Sequence, residues 1–236
     1  MTVEIWSDVM CPFCYIGKRK FEKALAQFGQ RDQVEVIWKS FQLDPASVTD
    51  PSLNPIDHLA AKKGWSKAEA LQATEHVTTI ARDAGLDFRL ENAVVANSFD
   101  AHRLSHLAKE KGKQDALEEK LFAAYFTEGK NTADHPTLTA LGMEAGLQQR
   151  DVEHLLNSQQ YADEVTQDIE QAHRIGVRGV PFFVFDRRYA VSGAQEPHVF
   201  LKALDSAYSD RVKEHPQENQ SSQNSDNTCG PDGCEV

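Results

Sequence analysis

Four cysteines are the residues of this 236-residue chain best suited to chemistry, and they form two close pairs at opposite ends, Cys11/Cys14 and Cys229/Cys234. The first pair stands in Met10-Cys11-Pro12-Phe13-Cys14. An apolar run, Val3-Glu4-Ile5-Trp6-Ser7, precedes it, and a helical pattern follows it in which Ile16, Lys20, Phe21, Ala24, Leu25 and Phe28 recur at spacings of three and four. A Cys-x-x-Cys at a strand-to-helix junction puts its first sulfur beside free N–H groups and the positive end of the helix dipole. That setting favours thiolate over thiol near neutral pH. Pro12 suits the first helical turn, where a missing N–H loses no partner. Cys14, deeper in that turn, is expected to be more buried and placed to attack a mixed disulfide formed at Cys11. The chemistry is thiol–disulfide exchange, with Cys11 attacking and Cys14 resolving.

Other readings of the cysteines stand beside this one. A lone C-x-x-C is also half of a zinc site, which would need a second ligand pair to close. Cys229/Cys234 is the candidate for that half, although a polar tail is a poor scaffold for it. Gly230, Pro231 and Gly233 make a tight turn that brings the tail sulfurs together. Some 20 residues of free chain have an r.m.s. reach of roughly 25 Å, enough to visit Cys11. The tail pair is thus a candidate accessory redox pair, shuttling electrons with Cys11/Cys14; an accessory thiol pair or a weak metal site is the alternative.

These pairs need elements to hold them. Residues 3–7 and 34–43 read as strands around the helix after Cys11, a βαβ unit with a parallel pair. From about 55 to 175 the pattern is helical throughout. Ser66-Lys67-Ala68-Glu69 is a capping box, Asn97 reads as an N-cap, and further helices start near 114, 136 and 151. Val180-Pro181-Phe182-Phe183-Val184-Phe185 is a buried strand that opens on a proline, and residues 189–194 follow after a turn short enough to imply an antiparallel hairpin. A helix over 197–208 closes the pattern, and the polar stretch from Ser209 to Thr228 is read as disordered. The fold class is therefore α/β. The expected division is a sheet domain from 1–54 and 176–208, an inserted helical subdomain over 55–175, and a C-terminal tail over 209–236.

Bulk properties narrow the partners. A net charge of −11 argues against nucleic acid, since little would neutralise a phosphate backbone. No apolar run approaches the roughly 18 residues that span a bilayer, and the N-terminus shows no signal-peptide pattern. A cytoplasmic location with no membrane association is expected, where thiols are kept reduced. No cofactor and no metal ligand set is read from the remaining residues.

Taken together, Cys11-Pro12-Phe13-Cys14-Tyr15-Ile16-Gly17, a helical insert and Gly179-Val180-Pro181 resemble the DsbA family of thioredoxin-fold oxidoreductases. The phrase Asn97-Ser98-Phe99-Asp100-Ala101-His102-Arg103-Leu104 is similar to the signature of its cytoplasmic FrnE-like branch. The resemblance covers about residues 3–208 and implies a thioredoxin fold (βαβ…ββα) with a large all-helical insertion. It implies a cis Pro181 facing the cysteines as a catalytic-site residue. Val180, Pro12, Phe13 and His102 are implied to border the substrate groove, a surface or hydrogen-bonded core histidine being the alternative for His102. Disulfide-bearing or thiol-bearing proteins are the implied substrates, with glutathione a further partner. Phe13 departs from the Trp common in this branch and from the His of periplasmic oxidants, which points to a milder redox poise suited to isomerase or reductase work. Asp8 either tunes Cys14 or only ends the strand. A glutathione-dependent isomerase or kappa-class transferase shares the architecture but carries Ser at the position of Cys11, and a four-thiol metal-binding or redox-sensing module is the non-catalytic alternative.

Overall fold

The first strand carries apolar residues on both faces, so it needs cover on both. In the computed structural model, which describes residues 1–214, β1 (Thr2–Ser7) lies inside the sheet. It pairs parallel with β2 (Glu35–Ser40) and antiparallel with β3 (Phe182–Phe185), and β4 (Tyr189–Ser192) adds antiparallel to β3. The strand order is β2-β1-β3-β4. Because side chains alternate along a strand, Val3 and Ile5 share one face. There they join a core with Phe21, Phe183, Phe185, Phe200 and Leu204 from β3 and the helices α1 (Pro12–Gln27) and α9 (Pro197–Glu214). Trp6 points the other way, onto Phe41, Ala172 and Val177, and its Nε1 donates to the Asp168 carbonyl at 2.9 Å. The tail pair Cys229/Cys234 lies outside the described residues.

Between β2 and β3 the chain forms α2 (Pro55–Lys63), α3 (Lys67–Asp83), α4 (Phe99–Glu110), α5 (Gln114–Phe126), α6 (His135–Glu144), α7 (Gln149–Leu156) and α8 (Ala162–Arg174). The order is that of a thioredoxin fold with a helical insertion. The capping box forms as expected: the Ser66 side chain accepts from Glu69 N while Glu69 bonds back to Ser66 N. Helices α4 to α7 enclose a core of their own that includes Leu104, Leu117, Leu121, Leu138 and Leu155. Val9, from the loop after β1, is buried in that helical core. The insert therefore grips the turn that leads to Cys11.

Several boundaries differ from expectation, β3 starting at Phe182 rather than Val180 and β4 ending at Ser192 rather than Ala194 among them, and three of the differences have a tertiary reason. The second strand stops at Ser40, because Phe41 N then bonds the Ser7 carbonyl and Leu43 N turns to the Asp8 carboxylate. Helix α4 starts at Phe99, so Asn97 is not its N-cap. The Asn97 side chain accepts from Phe99 N and Gln42 Nε2 and donates to the Pro45 and Ser47 carbonyls, tying two loops together. Helix α9 runs to Glu214, six residues beyond the expected end at 208, so residues 209–214 are helical rather than disordered. Asp210 accepts from the Tyr189 hydroxyl and Glu214 pairs with Arg188, which hold the last turns against β4.

Candidate active site

Cys11 follows β1 by a short loop and takes the N-cap position of α1 in extended backbone, with Pro12 at the first helical position. It makes no side-chain cap; its Sγ instead donates to the Val180 carbonyl at 3.4 Å. Val180 precedes Pro181 through a cis peptide bond, just before β3. Gly17, one turn along α1, permits this close approach. A Cβ there would lie 3.0 Å from Pro181 Cγ and 3.4 Å from Phe183 Cζ. Loop and helix thus meet so closely that a methyl group there would need Pro181 to give by a few tenths of an ångström.

Cys11 and Cys14 are free thiols, 4% and 1% exposed. Burial pushes the Cys14 thiol well above its ordinary range, and the Cys11 sulfur adds to that; the Ser7 hydroxyl and the Asp8 backbone N–H oppose it. Around the pair, Pro12 and Met10 are partly exposed and Phe13 is exposed, leaving an apolar rim at the surface.

Behind the cysteines sits a buried polar group. The Asp8 carboxylate accepts from Met10 N at 3.3 Å and Leu43 N at 2.7 Å, and lies 3.6 Å from His102 Nε2. His102, expected to border a substrate groove, is 3% exposed and turned inward from α4. At 3.6 Å the contact is too long for a hydrogen bond and is an ion pair when His102 is protonated; His102 Nε2 has no hydrogen-bond partner among the described residues. Burial alone would raise the Asp8 carboxyl, but His102 and the Leu43 N–H outweigh it and the group is lowered. Burial alone would lower His102, yet Asp8 raises it, helped by Glu118. Glu118 itself is raised by burial, against the pull of the Ser105 hydroxyl at 2.6 Å and of His102. Tyr125 is raised by burial and by Asp8.

The structure thus brings Cys11, Cys14, Val180 and Pro181 together, with Pro12 and Phe13 on the rim. It places His102 behind them rather than in front. Ser7 was missed from the sequence, although the alternation that turns Val3 and Ile5 toward α1 turns Ser7 the same way. Beyond Asp8, a pocket of about 540 Å³ is lined by Gln42, Pro45, Thr49, Asn97, Phe99 and Asp100. Among the described residues no three His, Cys, Asp or Glu side chains are grouped to hold a metal ion, and no helix is long and apolar enough to cross a membrane.

Comparison with known proteins gives these features a context. The family model of the DSBA-like thioredoxin domain matches residues 2–205. The chain is 40% identical to the probable DsbA oxidoreductase SCO1869 from Streptomyces coelicolor, with a TM-score of 0.83 over 100% of this chain and 99% of that one. It is 28% identical over 204 residues to the uncharacterized protein YwbO of Bacillus subtilis (strain 168), covering 86% of this chain and 94% of the relative. The cytosolic disulfide reductase DsbM from Pseudomonas aeruginosa, solved with GSH, shares the fold at 17% identity and a TM-score of 0.60, over 92% of this chain and 100% of that one.

Proposed function

The chain belongs to the DSBA-like thioredoxin-domain family, and on that premise we propose that it exchanges disulfides with protein substrates through Cys11 and Cys14. Disulfide oxidoreductase or isomerase chemistry is the family's general activity. In the reductive direction, the Cys11 thiolate attacks one sulfur of a substrate disulfide. A Cys11–substrate bond forms, and the other substrate sulfur leaves and takes up a proton. Cys14 then attacks the Cys11 sulfur, the mixed disulfide breaks, and a Cys11–Cys14 disulfide remains. The enzyme pair has lost two electrons and the substrate has gained two; the oxidative direction is the reverse.

The observation that carries this reading is the placement of Cys11. Its sulfur stands at the N-terminus of α1, three residues before the buried Cys14, and lies 3.4 Å from the Val180 carbonyl. The Val180 backbone is placed to meet an extended polypeptide. Met10, Pro12 and Phe13 offer apolar contact beside it. Pro181 holds that backbone against α1 through its packing on Gly17.

The motifs at Cys11–Gly17 and Asn97–Leu104 favour the FrnE-like branch and a cytoplasmic setting, with a poise suited to isomerase or reductase work. Glutathione is the proposed small-molecule partner, as GSH is bound in the DsbM structure. Cys229 and Cys234 are proposed to pass electrons to or from the first pair. Cys229 lies 15 residues beyond Glu214, a length that spans at most about 50 Å. Reduction of insulin by glutathione in the presence of the protein tests the core of the proposal. Cys11→Ser should abolish catalysis, and a Cys11→Ser protein working at the normal rate would overturn it.

A further inference from the structure

The resolving step asks for an anion in an awkward place. Cys14 must lose its proton to attack, yet it is 1% exposed, and a buried anion needs donors in place of water. Ser7 shares the β1 face of Val3 and Ile5, which pack in the core that holds Cys14, and the Ser7 hydroxyl and the Asp8 backbone N–H are the groups that oppose the effect of burial on the Cys14 thiol. Ser7 is the last residue of β1. It pairs with Ser40, and its carbonyl accepts from Phe41 N at 3.0 Å, so its backbone cannot turn. Asp8 is held as firmly through its own carboxylate, which bonds Met10 N and Leu43 N.

Ser7 Oγ is the telling atom. It is buried, and in the dithiol it finds no hydrogen-bond partner of regular geometry among the described residues. Buried hydroxyls are nearly always paired, and leaving one unpaired is costly. A donor idle in the resting state and engaged as charge appears is one that accelerates a step, because only interactions stronger in the transition state do so.

We propose that Ser7 Oγ–H and Asp8 N–H form a two-donor cradle for the Cys14 sulfur as it becomes anionic and attacks the mixed disulfide; this rests on the dithiol function above. In that step the Cys14–Cys11 bond forms and the Cys11–substrate bond breaks. The proton released by Cys14 ends on the departing substrate thiolate, so no co-reactant is needed. The same two donors are the groups that oppose the upward push of burial on the Cys14 thiol.

Ser7→Ala tests the cradle in the full chain, with a peptide disulfide as substrate and acid-quenched samples read by mass spectrometry. The mixed disulfide at Cys11 should form at the wild-type rate. Its decay should slow by about 10- to 100-fold, the range expected for losing one hydrogen bond to a charged group, so that it accumulates. Ser7→Thr, which keeps the hydroxyl, should restore most of the decay rate. The Ser7→Ala melting temperature should hold or rise, since an unpaired hydroxyl has gone. Unchanged decay in a folded Ser7→Ala protein would overturn the cradle, as would equal slowing of both steps. No mixed disulfide at Cys11 in a Cys14→Ser protein, where nothing can resolve it, would overturn the dithiol function itself.

Discussion

Replacing His102 with glutamine removes the imidazolium that faces the buried Asp8 carboxylate, and the structure sets the size of the effect. Two unit charges 3.6 Å apart attract by roughly 5 kcal/mol at an effective dielectric of about 20. Breaking a buried pair by removing one partner costs about 3–5 kcal/mol. Because Met10 N and Leu43 N still bond Asp8 in the variant, the low end, about 3 kcal/mol, is expected. For a chain of this size that lowers the melting temperature by about 6–12 °C. The effect depends on pH in a defined sense. His102 is raised in the folded protein, so its stabilisation is complete below the ordinary histidine value of about 6.5 and is lost as pH rises through the higher folded value. Asp8 is lowered, so its share is present above the ordinary Asp value of about 3.9 and is lost as pH falls through the folded value below it. The gap between wild type and His102→Gln should therefore be widest near pH 5–6.5 and close in alkali. Thermal melts followed by circular dichroism across pH 5–9 measure it. A variant that melts with the wild type at pH 6, or a gap that widens toward alkali, would refute the charge pair.

Two further outcomes follow from the same geometry. Gly17→Ala should lower activity severalfold without adding stability, even though alanine gains about 1 kcal/mol over glycine in a helix. The new Cβ, 3.0 Å from Pro181 Cγ, requires the proline ring to give by a few tenths of an ångström and so presses on the Val180–Pro181 segment beside Cys11; a more stable, fully active variant would contradict that packing. Ending the chain after Glu214 should change turnover with protein substrates while leaving Cys11–Cys14 exchange with a small disulfide intact. Identical turnover in the shortened and full chains would remove the tail pair from the mechanism.

Elements marked by local chemistry could be read from the residues. The Cys11–Cys14 junction announces a helix start through Pro12, and the Ser66/Glu69 capping box forms from four consecutive residues. Features decided by partners far along the chain could not. Asn97 looks like an N-cap until its side chain is seen tying the loop at residues 42–47. His102 sits on a helix whose middle is buried throughout, so helical periodicity gives no sign of which face meets Asp8. Residues 209–214 are polar enough to read as tail, and become helix only because Arg188 and Tyr189 wait for Glu214 and Asp210. Ser7 was within reach of period-two reasoning, but its meaning depends on a cysteine in the following helix.

The sharpest test of the account is an equilibrium one. The wild-type protein is poised in glutathione buffers of graded redox ratio, alkylated, and its cysteine linkages mapped by peptide mass. A single two-electron transition that joins Cys11 to Cys14, and persists in the chain ended after Glu214, is the predicted result. Separate glutathione adducts on Cys11 and Cys14 across the same range, with no bond between them, would contradict it.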